Sequence, residues 1–512
     1  MQTLHTPLDA ARWLRQRVTG ELRTDSRLVQ PGDAFIAWPG AATDGRLYLK
    51  DALAQGACAC VLAQEGSEPW QALSAQDVAE HQLERLACMS DLKAQTGLVA
   101  DAYYEHPSDE LNVLAVTGTN GKTSTAWWLA QALSSPVLRS PCGLVGTLGV
   151  GQLPHLSNTG MTTPDPVLLQ RQFRAFADAG LQHCAIEASS IGLAEHRLDG
   201  TRIRVAVFTN FTQDHLDYHG SMDAYWSAKE ALFNWSGLQS AVINVDDPQG
   251  ARLAKQLLAR GLDVWPCSRR GAARLQARPL DSAEGVAFEV IEGDQVISLR
   301  TGLIGDYNID NLLAVIGSLR ALGFALTDAV QACTCLTAVP GRMQRVGTLK
   351  TDAPMTVVDY AHTPDAIEKA LSALRSLAQQ RGGRLWCLLG CGGDRDPGKR
   401  PLMAAAAEAF ADAVVLTSDN PRSESPQAIV AAMAQGLQQP EKVTIDTDRA
   451  SAIRALIDQA DSQDVVLVAG KGHETYQEIQ GVRHPFFDVE HVQAALQRRA
   501  ARLSHAGQEA QA

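Results

Sequence analysis

The chain has 512 residues, 45% of them apolar and 20% charged, with a formal net charge of −12. Hydrophobic cores stop growing near roughly 250–300 residues, so several domains are expected. The acidic balance argues against a general nucleic-acid binder, which would carry a basic face, but allows an anionic substrate at a local basic site.

The stretch Met1 to Ala10 contains Asp9 and no apolar h-region, so no signal peptide is expected. From Met1 to about Glu110, short apolar runs alternate with turn chemistry at Pro31-Gly32-Asp33 and Pro39-Gly40. Asp33–Trp38 reads as a strand, Ala52–Gly56 as a helix end and Cys58–Leu62 as a strand, together a small α/β domain over residues 1–109.

A second domain, residues 110–338, opens with the apolar run Asn112–Thr117, a Gly-rich turn and a helix from Thr123 through Leu133. Further apolar runs at His183–Glu187, Val205–Asn210 and Ala241–Asn244, with helical stretches between, imply a mostly parallel sheet. The stretch from about Ala272 to Thr301 alternates more and is expected to be antiparallel. A third domain, residues 339–512, repeats the doubly wound pattern with runs at Met355–Asp359, Leu385–Leu389, Ala413–Thr417 and Val465–Ala469. Helices are expected at Ala366–Ala378 and Ala404–Ala411, and the tail after about Arg499 is expected to fray. No apolar run approaches the roughly 20 residues that span a bilayer. The 10 cysteines lack the two-residue gap of zinc and redox motifs, as in a cytosolic protein with reduced thiols.

The sharpest local signal is Val116-Thr117-Gly118-Thr119-Asn120-Gly121-Lys122-Thr123. Gly118 and Gly121 let the backbone approach phosphate oxygens, and the amides of the helix start favour an anion. Lys122 would reach the β- and γ-phosphates of a nucleotide, and the Thr123 hydroxyl would ligate Mg²⁺. Val116 stands where the general phosphate-loop pattern wants glycine. Glu187 ends one apolar run, and Asp214 and His215 follow another, where parallel sheets bind ligands and a hard cation suits them.

The T-G-T-N-G-K-T segment resembles the variant loop of the Mur ligase family, ATP-dependent enzymes that phosphorylate a carboxylate and join an amino acid to it. The resemblance implies two Mg²⁺ ions, with Glu187, His215 and Lys229 as the magnesium-linked positions and Lys229 carboxylated by CO₂. From its residues alone Lys229 reads as a solvated helix residue. Gly305 to Asn308 and Asn311, Arg342 in Pro340-Gly341-Arg342-Met343, and Asp359 and His362 in Asp359–Pro364 look like the family's further ATP contacts. The resemblance implies a nucleotide clamped between domains, with closure completing the site.

The resemblance covers nearly the whole chain and is nearest to the members that add diaminopimelate. Thr24 and Ser26 in Thr24–Arg27, with Asp44–Arg46, look like the uridine-nucleotide region, and Ala41–Thr43 departs from a His-rich triplet common in relatives. Thr162, Thr163, Ser189 and Arg197 resemble the contacts to UDP-MurNAc-L-Ala-D-Glu, with Glu195 replacing a frequent amide. Asp419-Asn420-Pro421-Arg422 matches the D-N-P-R motif of enzymes that add meso-diaminopimelate. Arg can grip the carboxylate that distinguishes diaminopimelate from lysine through two parallel hydrogen bonds. Arg395 and Arg422 are the candidates for that grip, with Gly470 and Glu474 receiving the far ammonium. The expectation is therefore a cytoplasmic, monomeric ADP-forming ligase, binding neither nucleic acid nor membrane. A lysine-adding relative and a phosphate-loop ATPase without ligase activity remain open alternatives.

Overall fold

The computed structural model describes residues 1–40, 43–66, 83–282, 285–347 and 352–509. Ala41 and Ala42 of the triplet noted above lie outside the described residues. Contacts divide the chain into two compact units, the first holding residues 1–276, 292–294 and 312–332, the second 277–291, 295–311 and 333–512.

The first unit contains two sheets. Strands β1 (Gln2–Leu4), β2 (Leu22–Arg23), β3 (Ala34–Ala37), β4 (Ala59–Ala63) and β5 (Leu86–Met89) form a parallel sheet in the order β1-β5-β4-β3-β2. Its inner strands are buried throughout, as expected of a parallel sheet covered on both faces.

The second sheet uses β6 (Asn112–Thr117), β7 (Cys142–Gly146), β8 (Gly149–Gln152), β9 (His155–Ser157), β10 (His183–Glu187), β11 (Ile203–Phe208), β12 (Ser240–Asn244) and β13 (Asp263–Ser268). Their order is β13-β12-β11-β6-β10-β7-β8-β9. The six strands β6, β7 and β10 to β13 pair in parallel, while β8 and β9 turn back antiparallel. Helix Pro166–Asp178 starts where Asp165 accepts from the amides of Val167 and Leu168, with Pro166 at its first position. It lays Phe173 and Phe176 on the apolar face that Cys184, Ile186, Ala206 and Phe208 present. The chain runs from β6 to one side for β7 and β10, then crosses to the other for β11. The crevice beyond the strand ends at that reversal is where such sheets take ligands. Next come β14 (Leu275–Leu280), β15 (Ala287–Glu292) and β16 (Gln295–Arg300). The first residues of β14 join β13 in parallel, so the expected antiparallel stretch does not begin there.

In the second unit, β17 (Gln344–Val346), β18 (Met355–Asp359), β19 (Leu385–Cys391), β20 (Ala413–Ser418), β21 (Thr444–Ile445) and β22 (Val465–Ala469) form a sheet in the order β17-β18-β22-β19-β20-β21. All pairs are parallel except β17 with β18. The loops after β18, β19, β20 and β22 therefore leave one edge together. A hairpin of β23 (Tyr476–Ile479) and β24 (Val482–Pro485) follows the last of them. The tail corrects the sequence expectation: a helix runs from Asp488 to Glu509, through the segment expected to fray. Alanine, glutamine and arginine are good helix formers, and that propensity outweighs proximity to the chain end. Among the described residues, no helix is long and apolar enough to cross a membrane.

Candidate active site

The turn between β6 and the helix Lys122–Leu133 holds Gly118 at φ +145° and Gly121 at φ +87°. A Cβ on Gly118 would lie 1.9 Å from Thr209 Oγ1, so only glycine fits against the end of β11. The turn is fixed from below: Thr119 N donates to Asn210 O at 2.8 Å, Asn120 N donates to Asn210 Oδ1 at 3.0 Å, and Thr209 Oγ1 donates to Asn120 O at 2.6 Å. Thr119 Oγ1 donates to Thr212 O at 3.0 Å and stands 3.2 Å from the Tyr225 hydroxyl. Lys122 Nζ folds over the turn and donates to the carbonyls of Gly118 and Thr119, each at 2.9 Å. Thr117 Oγ1 is buried and has no hydrogen-bond partner among the described residues.

Parallel pairing sets Glu187 of β10 opposite Val116 of β6, which brings its carboxylate to the helix start. Thr123 Oγ1 donates to Glu187 Oε2 at 2.8 Å, and Thr147 donates to the same carboxylate through its amide at 2.7 Å and its hydroxyl at 3.3 Å. Thr147 was not read from the sequence, although it follows the run that forms β7. It extends the chain of hydroxyls, standing 3.0 Å from Thr162 Oγ1. Thr163 Oγ1 donates to Glu187 O at 2.7 Å and lies 2.9 Å from Ser189 Oγ, which in turn caps the helix Ser190–Ala194. Arg197 Nη1 donates to Thr163 O at 2.9 Å. The structure thus brings Thr123, Glu187, Thr162, Thr163, Ser189 and Arg197 into one polar run beside the phosphate loop.

Lys229 is buried, contrary to the reading of its residues alone, with 1% of its surface exposed. Its Nζ donates to Gly118 O at 2.7 Å and lies 4.4 Å from the centroid of the Tyr225 ring. Burial, then the charge of Lys122, holds its ammonium well below the usual lysine range, with Asp214 opposing. His215, at φ +52°, presents its ring to the same Tyr225 at 6.0 Å between centroids. No group of three or more His, Cys, Asp or Glu able to hold a metal occurs among the described residues. Mg²⁺ bound through a hydroxyl or one carboxylate, with phosphate oxygens and water completing its shell, needs no such group.

Other sequence candidates are placed differently. Glu195 binds Lys93 at 2.7 Å and accepts from the Tyr218 hydroxyl, a tie between helices rather than an open carboxylate. Thr24 hydrogen-bonds the half-buried Asp165, and Ser26 is buried at the start of a short helix. The Arg46 guanidinium is used inside the fold by Asp44 at 2.7 Å and by the carbonyls of Ala63 and Glu65. Asn308 Nδ2 donates to Ile304 O at 2.7 Å, and Asn311 Nδ2 donates to Asn308 Oδ1 at 3.0 Å, so both amides brace a helix start.

In the second unit, Tyr360 gathers its near neighbour His362 with Arg342 and His473 from other turns. The Arg342 guanidinium lies 4.4 Å from its ring centroid, His362 4.6 Å and His473 4.9 Å. Arg342 Nε and His473 Nδ1 are buried and have no hydrogen-bond partners among the described residues. Asp359 Oδ2 accepts from Met343 N at 2.6 Å and fixes the turn that carries Arg342. Burial raises the Asp359 carboxyl above its usual range, with the Arg342 charge opposing.

The loops after β19 and β20 meet around Gly392, and the loop after β22 joins them at Asp419 and Asn420. A Cβ there would lie 2.9 Å from Arg422 Nη1 and 3.7 Å from Arg395 Cγ. Arg422 sits at φ +52°, its Nη1 donating to Gly393 O at 2.6 Å. The hairpin pins its backbone, with Arg422 N donating to Glu478 O at 2.9 Å and Gln480 N donating to Arg422 O at 2.7 Å. Asp419 and Asn420 are buried behind it, and Asn420 Nδ2 donates to Glu474 Oε2 at 2.6 Å. Gly470, at φ +112°, approaches Asp419.

Two family models match the chain: the Mur ligase middle domain over residues 116–319 and the Mur ligase, glutamate ligase domain over residues 341–472. A protein of Acidovorax sp. (strain JS42) named UDP-N-acetylmuramoyl-L-alanyl-D-glutamate–2,6-diaminopimelate ligase is 57% identical over 98% of this chain and 99% of its own. A solved structure of a ligase with the same name is 36% identical, covering 94% of this chain and 95% of its own at a TM-score of 0.64. The MurF ligase of Thermotoga maritima, solved in complex with ADP, is 17% identical and shares the fold over 96% of this chain and 99% of its own, at a TM-score of 0.65.

Proposed function

The chain belongs to the Mur ligase family, and on that footing we propose that it joins meso-diaminopimelate to the D-glutamate carboxylate of UDP-MurNAc-L-Ala-D-Glu, with ATP converted to ADP and phosphate. The reading places the chain in the cytoplasm as a monomer, in precursor synthesis for peptidoglycan. Residues 1–109 take the uridine nucleotide, 110–338 the ATP phosphates and 339–512 the amino acid.

The amides of the Gly118–Gly121 turn and Lys122 hold the β- and γ-phosphates. The acceptor carboxylate attacks the γ-phosphorus, ADP leaves, and an acyl phosphate results. The amine of diaminopimelate then attacks the acyl carbon, and phosphate leaves from the tetrahedral intermediate. Thr162, Thr163, Ser189 and Arg197 orient the acceptor, with Thr24, Ser26 and Glu195 supporting that side. Asn308, Asn311, Arg342, Asp359 and His362 are the nucleotide positions of the second unit, the two asparagines acting through the helix start that they brace.

Thr123, Glu187, His215 and Lys229 would hold two Mg²⁺ ions. The fit rests on the Thr123–Glu187 pair beside the phosphate loop and on a buried Lys229 whose amine is readily uncharged, the form that combines with CO₂. Bound Mg²⁺ supplies charge neutralisation on the phosphate oxygens.

The observation that carries the choice of amino acid is Arg422 beside Gly392, with Glu474 tied to the same loop through Asn420. A guanidinium there suits the distal carboxylate of diaminopimelate and repels the bare ammonium of lysine. Arg395 flanks the same point. The test is phosphate release from ATP with UDP-MurNAc-L-Ala-D-Glu and diaminopimelate, L-lysine or no amino acid. Release with diaminopimelate alone is expected, with a product heavier by that residue. Release with lysine would overturn the reading of Arg422, and undiminished release without amino acid would point to an ATPase.

A further inference from the structure

Lys471 follows Gly470 in the loop after β22 and is fully buried. A buried ammonium persists only where acceptors meet its N–H groups. Its Nζ donates to Glu474 Oε2 at 3.0 Å and to Asn420 Oδ1 at 3.1 Å, and Asp419 Oδ1 lies 3.9 Å away. The Tyr476 ring centroid closes the other side at 5.8 Å. Asn420 completes a triangle, because its Nδ2 donates to the same Glu474 Oε2 at 2.6 Å while its Oδ1 also accepts from Glu478 N at 2.9 Å. The side chain of Asn420 is therefore spent within the protein, although its motif suggested a contact to the amino acid.

Both hydrogen bonds to Glu474 fall on Oε2. Its other oxygen, Oε1, takes none among the described residues, and the side chain keeps 19% of its surface exposed. A carboxylate pinned through one oxygen has a fixed direction for the other. Burial, then Asp419, pushes the Glu474 carboxyl up, and Lys471 and Asn420 oppose that rise. Without Lys471 the group would be both less directed and less charged.

We propose that Lys471 is a positioning residue for the amino-acid substrate: it holds Glu474 Oε2 and Asn420 so that Glu474 Oε1 faces the distal ammonium of the incoming amino acid. The inference rests on the reading of this crevice as the amino-acid site. It acts through Glu474 and makes no substrate contact of its own.

The test is steady-state kinetics of full-length Lys471→Met, Glu474→Gln and the double variant, with separate KM values for the amino acid, ATP and the uridine nucleotide. Lys471→Met is expected to raise the amino-acid KM about tenfold or more and to leave the other two within about twofold. The double variant is expected to be no worse than Glu474→Gln, since residues acting as one unit are not additive. Should Lys471→Met fail to fold, Lys471→Gln, which retains N–H donors without the charge, is judged by the same comparison. An unchanged amino-acid KM, an equal rise in all three, or additive losses in the double variant would overturn the proposal. If the wild type uses lysine instead of diaminopimelate, the function reading falls while the comparison, made on lysine, still decides Lys471. Turnover independent of any amino acid overturns both.

Discussion

Lys229 Nζ donates to the carbonyl of Gly118 at 2.7 Å, across 111 residues of sequence, and so ties the helix Met222–Glu230 to the phosphate loop. A lysine in that place is neither a solvated helix residue nor a simple ion-pair partner. Its burial beside Lys122 favours the neutral amine, which is the form a carbamate requires.

Lys229→Ala is accordingly expected to lower kcat by about 10²-fold or more, the range for losing one electrostatic contact at a reacting centre. Added bicarbonate should not restore it, because no amine remains to carboxylate. The wild type under ¹³CO₂ should show a carbamate carbon resonance that the variant lacks. Normal turnover by the variant would remove Lys229 from the metal site.

Arg422 donates to Gly393 O and has its backbone held on both sides by the hairpin, so its guanidinium is presented by a rigid frame. Arg422→Ala should raise the KM for diaminopimelate by about 10²-fold or more while the KM for ATP stays nearly constant. A polar site that loses its partner discriminates strongly, up to about 10⁴-fold or more. The variant should also narrow the gap between diaminopimelate and lysine. Equal rises for ATP and diaminopimelate would take Arg422 out of the specificity role.

Much of the fold around these loops was legible in advance, and the side-chain pairings that were not have a common cause. Strands β6, β10, β18 and β22 match their apolar runs end to end, because a buried parallel strand is a short unbroken apolar run. Local motifs also located the phosphate loop and the loops after β19, β20 and β22. A motif names residue types, however, and not the direction of a side chain. The motifs that hold Asn308, Asn311 and Asn420 do not say that these amides bond within the protein, as they do. Thr147 went unread because its partner Glu187 lies 40 residues away, and Lys471 because Asn420, which joins it in holding Glu474, lies 51 residues away. Such pairs are set by which strand ends meet, which spacing along the chain does not encode.

His473 makes acid stability a test of the second unit. Burial, then the Arg342 charge, lowers its imidazole to about 3. The folded group stays neutral through a range in which the unfolded one, near its ordinary value of 6.5, takes up a proton. The unfolded state thus binds more protons below pH 6.5, and stability is lost as pH falls from about 6.5 towards 3. At pH 5 this one group accounts for about 2 kcal/mol. His473→Gln should therefore show a smaller drop in melting temperature between pH 7.5 and pH 5 than the wild type. His183, lowered to about 4 by burial, keeps part of the loss in both proteins. An identical drop in the two would rule out the buried neutral imidazole.

Arg449 and Asp488 form an ion pair with both side chains fully buried, joined by hydrogen bonds of 2.7 Å and 2.6 Å. The same guanidinium donates to Ser418 O at 3.3 Å and to Ala469 O at 2.9 Å, the last residues of β20 and β22. It therefore braces the strand ends from which the Asp419–Arg422 and Gly470–Glu474 loops depart. Removing one partner of such a pair strands a charge in the interior and costs about 3–5 kcal/mol. Asp488→Asn, which is nearly isosteric, should lower the melting temperature markedly and raise the KM for diaminopimelate more than that for the uridine nucleotide. The double change Arg449→Met with Asp488→Leu should recover much of the stability, because no charge is left unpaired. It should not recover the KM, because with Arg449 gone the two carbonyls lose their donor. Recovery of both would mean that the pair serves stability alone and that the loops hold their geometry without it.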